Sequence, residues 1–306
     1  MIQEENLLEQ ALSLAEEGYE EAYRFLLGFA EENPAVCGPQ TFYFLACLAG
    51  GSGKPEEALE WLKTSVAEKG FWYRPEVLID DDLEAIREDP AFVALKALSD
   101  ARYAEAVSQS KAQLSWKEKR AENLFLAVHG NTQNAKTARE NWLPILGENS
   151  AWQLETVQSA EPDGFGTYRW SYDETSFRPV AEAMERVQSE GYRKIFCGGF
   201  SAGCDMLLRA VLLSPARCDA LILQSPWIPL LADREEDLMN ALLRKKIALR
   251  ILCGADDEDC LPLAQNLFAA ANCAGVPAEL TIQEKSRHQF PEPPPPLSKR
   301  SSTDPF

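Results

Sequence analysis

Histidine is nearly absent from this chain: 306 residues contain two, His129 and His288. Any chemistry that needs an imidazole base therefore has a choice of two. Also missing is a CxxC pair. The eight cysteines (37, 47, 197, 204, 218, 253, 260 and 273) are scattered, and Cys197 and Cys253 lie inside apolar runs, so they read as reduced, buried thiols rather than a disulfide framework. The opening MIQEENLLEQ lacks a basic stretch followed by an apolar run. No segment reaches about 18 consecutive apolar residues. Neither a secretory leader nor membrane insertion is expected, and the reading is a soluble, cytoplasmic protein.

Basic residues are scarce at the N-terminal end. Residues 1–110 carry 22 Asp/Glu against 8 Lys/Arg, whereas residues 111–306 carry 26 against 22, within a total formal charge of -18. A field of that sign repels phosphate backbones and anionic bilayers, so nucleic acid is not expected as a partner. The uneven charge also hints at a boundary, and the length allows two domains, each with its own core.

From Glu4 to about Glu32 apolar residues fall at helical spacing with Gly18 interrupting, which predicts two helices joined by a tight turn. A second pair follows, with Phe42, Leu45, Ala46 and Ala49 on one helix, GGSG as the break, and Ala58, Leu59, Leu62 and Val66 on the next after Pro55. Aligning Ala22 with Ala58 gives a period of 36, near the tetratricopeptide length of about 34. Tyr19, Ala22, Leu26 and Pro34, then Gly53, Ala58 and Leu62, occupy positions where that repeat places its signature residues. The region resembles a short tetratricopeptide array, and GFWYRPEVLIDDDLEAIREDPAFVAL resembles the tail that follows such units in many bacterial proteins. Residues 1–110 are thus expected to form a helical-repeat domain offering a surface to a protein or peptide partner, and the polar residues 111–122 a linker.

Beyond Asn123 the rhythm changes. NLFLAVH, AWQLETVQS, KIFCGGF, DALILQS, ALRILCG and AELTIQE alternate with helical patterns such as PVAEAMERVQSEG and CLPLAQNLFAAANCAG. Near-continuous apolar strands between helices predict an α/β domain over 123–291, with a mostly parallel sheet flanked by helices. The proline-rich residues 292–306 are expected to form a disordered tail.

Gly199-Phe200-Ser201-Ala202-Gly203 matches G-x-S-x-G and falls between a predicted strand and a predicted helix. On such a strand-to-helix turn strained backbone lifts the hydroxyl out, and the helix N-terminus faces the charge that develops during reaction. A serine nucleophile needs a base oriented by a carboxylate. His288, in KSRHQFP after the last predicted strand, fits the order nucleophile, acid, histidine. His129, far upstream in the first strand, reads as a structural residue. The acid is expected after ALRILCG, where Asp257 is favoured over Asp256 and Asp259 for its reach past Gly254. Oxyanion donors are expected from the backbone N–H of Ala202 and of Asn131, with Thr132, Gln133 and Asn134 either orienting that loop or capping the next helix. Phe200 and the aromatics of SAEPDGFGTYRWSYDET, Tyr168, Trp170 and Tyr172, are candidates to wall an acyl pocket.

The segments LFLAVHGNTQN, KIFCGGFSAGCDM, ILCGADDEDCLPLAQNL and AGVPAELTIQEKSRHQFP resemble the α/β-hydrolase superfamily, in its short branch of phospholipase/carboxylesterases, acyl-protein thioesterases and dienelactone hydrolases. That resemblance implies cofactor-free and metal-free hydrolysis of carboxylic esters or thioesters. Dienelactone hydrolases are similar in fold but resemble this chain less at the elbow, where they use cysteine. The branch often has glycine before its histidine, whereas Ser286-Arg287 stand here. Two other functions keep the same residues: an acylaminopeptidase-like or oligopeptidase-like amide hydrolase, and a non-catalytic tetratricopeptide scaffold with a degenerate hydrolase module.

Overall fold

The computed structural model describes residues 4–146 and 151–290, so the proline-rich tail over 292–306 lies outside the described residues. The chain divides into two units, Met1–Ser110 with Pro162–Gly166, and Lys111–Glu161 with Thr167–Phe306.

The first unit is helical. Helices α1 (Glu4–Glu17) and α2 (Tyr19–Glu32) pack together, as do α3 (Pro39–Gly51) and α4 (Pro55–Leu62), which runs on as a π-helical turn over Lys63–Glu68. Ala22, Ala46, Ala49 and Ala58 are fully buried at these crossings, where only small side chains let backbones approach. Proline opens α3, α4 and α5 (Pro90–Gln109), where its missing N–H costs nothing. Asp89 caps α5 by accepting from Ala91 N at 2.7 Å. The WYRP stretch is held inward by Tyr73: its hydroxyl donates to Pro39 O at 2.8 Å, and its N–H donates to buried Ser99 Oγ at 2.9 Å.

The second unit is built on a seven-stranded sheet. Its strands are β1 (Gln113–Leu114), β2 (Asn123–Val128), β3 (Trp152–Gln158), β4 (Ile195–Phe200), β5 (Ala220–Gln224), β6 (Ala248–Gly254) and β7 (Ala278–Gln283). They are ordered β1-β3-β2-β4-β5-β6-β7, and all neighbours are parallel except β1 against β3. Side-chain alternation explains why the strands read as unbroken apolar runs. Leu124, Leu126 and Val128 of β2 enter one core with α7 (Arg178–Gln188), α8 (Ala202–Leu213), α9 (Leu230–Lys245) and α10 (Cys260–Ala274), whereas Phe125 and Ala127 enter a second core with Trp142 and Ile145 of α6 (Ala135–Leu146). Both faces are covered, so no residue of β2 is free to be polar for solvent's sake.

Residues 111–122, expected from polarity to be a linker, instead contribute β1 and bury Trp116, whose indole N–H donates to Tyr192 Oη at 2.8 Å. A two-residue edge strand carries no periodicity to read, and one tryptophan among charged neighbours is what anchors it.

Candidate active site

The carboxyl ends of β2, β4, β5 and β6 assemble the site. β4 stops at Phe200, Ser201 adopts φ 50° and ψ −122°, and α8 begins at Ala202. A non-glycine residue in that backbone region carries about 1–3 kcal/mol of strain, which the surroundings must hold. They do so through Ser201 N, which donates to Gln224 O at 3.1 Å, and Ser201 O, which accepts from Cys204 N at 3.0 Å. Both glycines of the pentapeptide are contact glycines: a Cβ on Gly199 would stand 2.8 Å from Cys204 N, and one on Gly203 2.5 Å from His129 O. Ala202, the first residue of α8, has an N–H with no partner in the preceding turn, at the positive end of the helix.

The β2–α6 loop lies against this elbow, a Cβ on Gly130 being 3.3 Å from Ser201 Cβ. Its shape is set from several sides. Gln133 Oε1 accepts from Gly130 N at 3.0 Å, Asn131 Oδ1 accepts from Trp170 N at 2.8 Å, and Thr132 takes a positive φ of 61°. Gln133 therefore orients the loop, while Asn134 caps α6 through Thr137 N at 2.9 Å. Tyr168 N donates to Gln133 O at 2.8 Å, and Tyr172 Oη stands 3.5 Å from Asn131 Nδ2. Trp170 is buried, donates its indole N–H to His129 O at 2.8 Å and stacks on the His129 ring at 4.9 Å.

His129 is itself fully enclosed. Its Nε2 accepts from Ser159 N at 3.1 Å, and its Nδ1 faces Gly130 O at 2.7 Å. Burial pushes its pKa down to about 4. A group depressed on folding is protonated first in the unfolded chain, so stability is fully present above about pH 6.5 and declines as pH falls towards 4. The loss between pH 7 and 4.5 from this residue is expected to be about 2 kcal/mol. Urea unfolding of the wild type and of His129→Gln at both pH values measures it, as the part of the difference that the variant lacks.

The acid loop follows β6. Asp256 and Asp259 are exposed, whereas Asp257 is 3% exposed. Asp257 Oδ2 lies 2.9 Å from His288 Nδ1, and Oδ1 accepts from Cys260 N at 3.1 Å. Burial alone would raise the Asp257 carboxyl, but the hydrogen bond and charge of His288, with the Cys260 N–H, hold it below the usual range. The imidazole also packs 5.1 Å from the Phe200 ring, which in turn packs 5.6 Å from Phe290. The structure thus joins Asp257 to His288 and sets the Gly130–Asn131 loop and Ala202 around Ser201. Among the described residues no hydrogen bond links Ser201 to His288.

Two residues to which the sequence assigned no role at the site bind these parts together. Gln224, buried at the end of β5, accepts from the elbow through its carbonyl, and its side chain donates to Gln289 O at 3.2 Å, one residue beyond His288. Its only signal is an amide closing an apolar strand. Gly254 is the other: a Cβ there would lie 2.1 Å from Ser286 O and 2.6 Å from Arg287 O. The close approach that a glycine ahead of the histidine would have eased is supplied from the acid side instead. Gly254→Ala is expected to cost about 1–3 kcal/mol, because the atoms in the way are backbone. A lowered urea midpoint measures this.

A family model described as "A/B hydrolase-like, N-terminal domain" matches residues 3–107. Among solved structures the chain is similar to an uncharacterized protein from Bacillus cereus ATCC 10987, at 26% identity, 95% coverage of each chain and a TM-score of 0.52. It is also similar to SOBER1 of Arabidopsis thaliana (16% identity, 56% of this chain and 93% of that one, TM-score 0.45) and to acyl-protein thioesterase 2 of Zea mays (14%, 59% and 92%, 0.44). No curated protein matches the sequence. The second unit has the α/β-hydrolase fold. Among the described residues no helix is long and apolar enough to cross a membrane.

Proposed function

We propose that this protein is a serine hydrolase of carboxylic esters or thioesters. The observation that carries the reading is the Asp257–His288 hydrogen bond at 2.9 Å, formed at the same end of the sheet as the strained Ser201 elbow. In this mechanism His288 Nε2 takes the Ser201 proton as the hydroxyl attacks the acyl carbonyl, and Asp257 holds the proton of Nδ1 and so the tautomer. The N–H groups of Ala202 and Asn131 receive the oxyanion. The leaving group takes the proton from His288, and water activated by the same imidazole releases the acyl group from Ser201. Phe200, with Tyr168 and Trp170 behind the Asn131 loop, shapes the acyl side.

The first unit, in this proposal, is a tetratricopeptide-like array that serves recognition of a protein or peptide. Supporting this is a cleft of about 490 Å³ lined by Tyr23, Leu27, Glu31, Glu57, Glu60 and Trp61. All eight cysteines are thiols, seven of them buried, which suits the reducing cytoplasm.

A fluorophosphonate probe tests the central claim, with covalent labelling of the folded chain at Ser201 expected. Turnover of p-nitrophenyl esters of increasing acyl length and of acyl thioesters is expected to exceed that of aminoacyl amides. Preference for an amide with a matching side chain would move the assignment to a peptidase.

A further inference from the structure

A third group stands beside the Asp257–His288 pair that the proposed hydrolysis does not use. Cys260, the first residue of α10, is 1% exposed, and its Sγ lies 3.4 Å from His288 Nδ1. The Nδ1, the Asp257 carboxylate oxygen and this sulfur all fall within 4.8 Å of one another. One nitrogen, one oxygen and one sulfur donor is a set that suits a borderline cation such as Zn2+. With Zn–N and Zn–O near 2.0–2.1 Å and Zn–S near 2.3 Å, adjacent donors of a tetrahedral site stand about 3.3–3.6 Å apart. The 2.9 Å and 3.4 Å separations found here need shifts of only a few tenths of an ångström to match. Of the three donors only the imidazole belongs to a side chain that reaches solvent, being about one third exposed.

We infer that Cys260, His288 and Asp257 form a Zn2+ site, and that filling it switches off the hydrolase by reversing the histidine tautomer. The switch rests on the hydrolase reading above; the site does not. On binding, the thiol releases its proton to water and its sulfur bonds the metal. The ring proton leaves Nδ1 and one is taken up at Nε2, so the imidazole stays neutral and one proton is released per ion. Nε2 then carries hydrogen and has no lone pair to accept the Ser201 proton.

The test uses the full chain with Co2+ and Zn2+ as probes. Co2+ is expected to give a thiolate-to-metal charge-transfer band in the near ultraviolet. That band should vanish in Cys260→Ala and in the size-conserving Cys260→Ser, with circular dichroism verifying that both fold. It should survive in Cys273→Ser, the exposed thiol, and in Cys47→Ser, whose side chain neighbours Asp80 and Asp82. With two histidines in the chain, ring 15N NMR reads the tautomer directly: Zn2+ should move the His288 proton from Nδ1 to Nε2 and leave His129 unchanged. Zn2+ should also inhibit ester turnover reversibly, and Cys260→Ala should raise the concentration for half inhibition about tenfold or more, since losing a ligand costs at least what losing an outer-shell partner does. A band that is absent, or that follows Cys47 or Cys273 instead, overturns the site while leaving Ser201 labelling to judge the hydrolase. A band on Cys260 in a chain that hydrolyses no ester leaves the metal site standing and removes the hydrolase reading. A bound metal with the ring proton still on Nδ1 overturns the switch.

Discussion

Ser201→Ala is expected to lower kcat/KM for the best ester substrate by about 10⁴-fold or more, and to abolish fluorophosphonate labelling, with little change in stability. The magnitude follows from removing the nucleophile while the oxyanion donors and binding contacts remain; such sites keep only a residual advantage over water. The small change in stability follows from the geometry. Alanine pays a similar penalty to serine at φ 50°, and the contacts holding the residue, to Gln224 O and from Cys204 N, are made by its backbone. Steady-state kinetics with a urea midpoint within about 0.5 kcal/mol of wild type is the signature. Loss of activity with a large loss of stability would instead mean that the elbow had collapsed.

Asp257→Asn is expected to cost about 10⁴-fold in kcat, whereas Asp256→Asn should change it little. Asp257 is enclosed, with one oxygen committed to Cys260 N and the other facing His288 Nδ1. An amide there brings an N–H₂ group that can face an imidazole N–H only by reversing the tautomer, and Nε2 then cannot serve as base. Asp256 is exposed, and its backbone rather than its side chain is used, its N–H donating to Ser286 O at 2.9 Å. Single-turnover measurement of the acylation burst in both variants separates this effect from altered binding. A loss on Asp256→Asn matching that on Asp257→Asn would transfer the role to the loop as a whole.

Much of the fold is legible before any coordinates. β2, β3, β4, β5, β6 and β7 each announce themselves as apolar runs because both sheet faces are covered, and the helices of the first unit announce themselves through small residues and first-turn prolines. β1 escaped notice because two residues have no period, and the charged run around Trp116 reads as solvated chain. At the site, chemistry is readable where a residue type is scarce or a pentapeptide is distinctive: two histidines, one elbow. Three neighbouring aspartates differ only in which way the turn after Gly254 directs them, a matter of backbone path rather than composition. Gln224 and Gly254 act through contacts with residues 23 to 65 positions away, and nothing local marks those contacts. Trp170 and Tyr168 look alike on paper, yet one is sealed beneath the His129 loop and the other is half-buried at its edge.

The tight approach of Gly254 to Ser286 and Arg287 bears on how this site tolerates change. Because the acid loop supplies the clearance, glycine is not required directly ahead of His288: buried Ser286 and exposed Arg287 stand there. A saturation library at the exposed position 287 should therefore yield many working variants, while the same library at 254 should return glycine almost alone. The turn into His288 is free to diversify at its exposed residue because its rigidity has been placed one strand away.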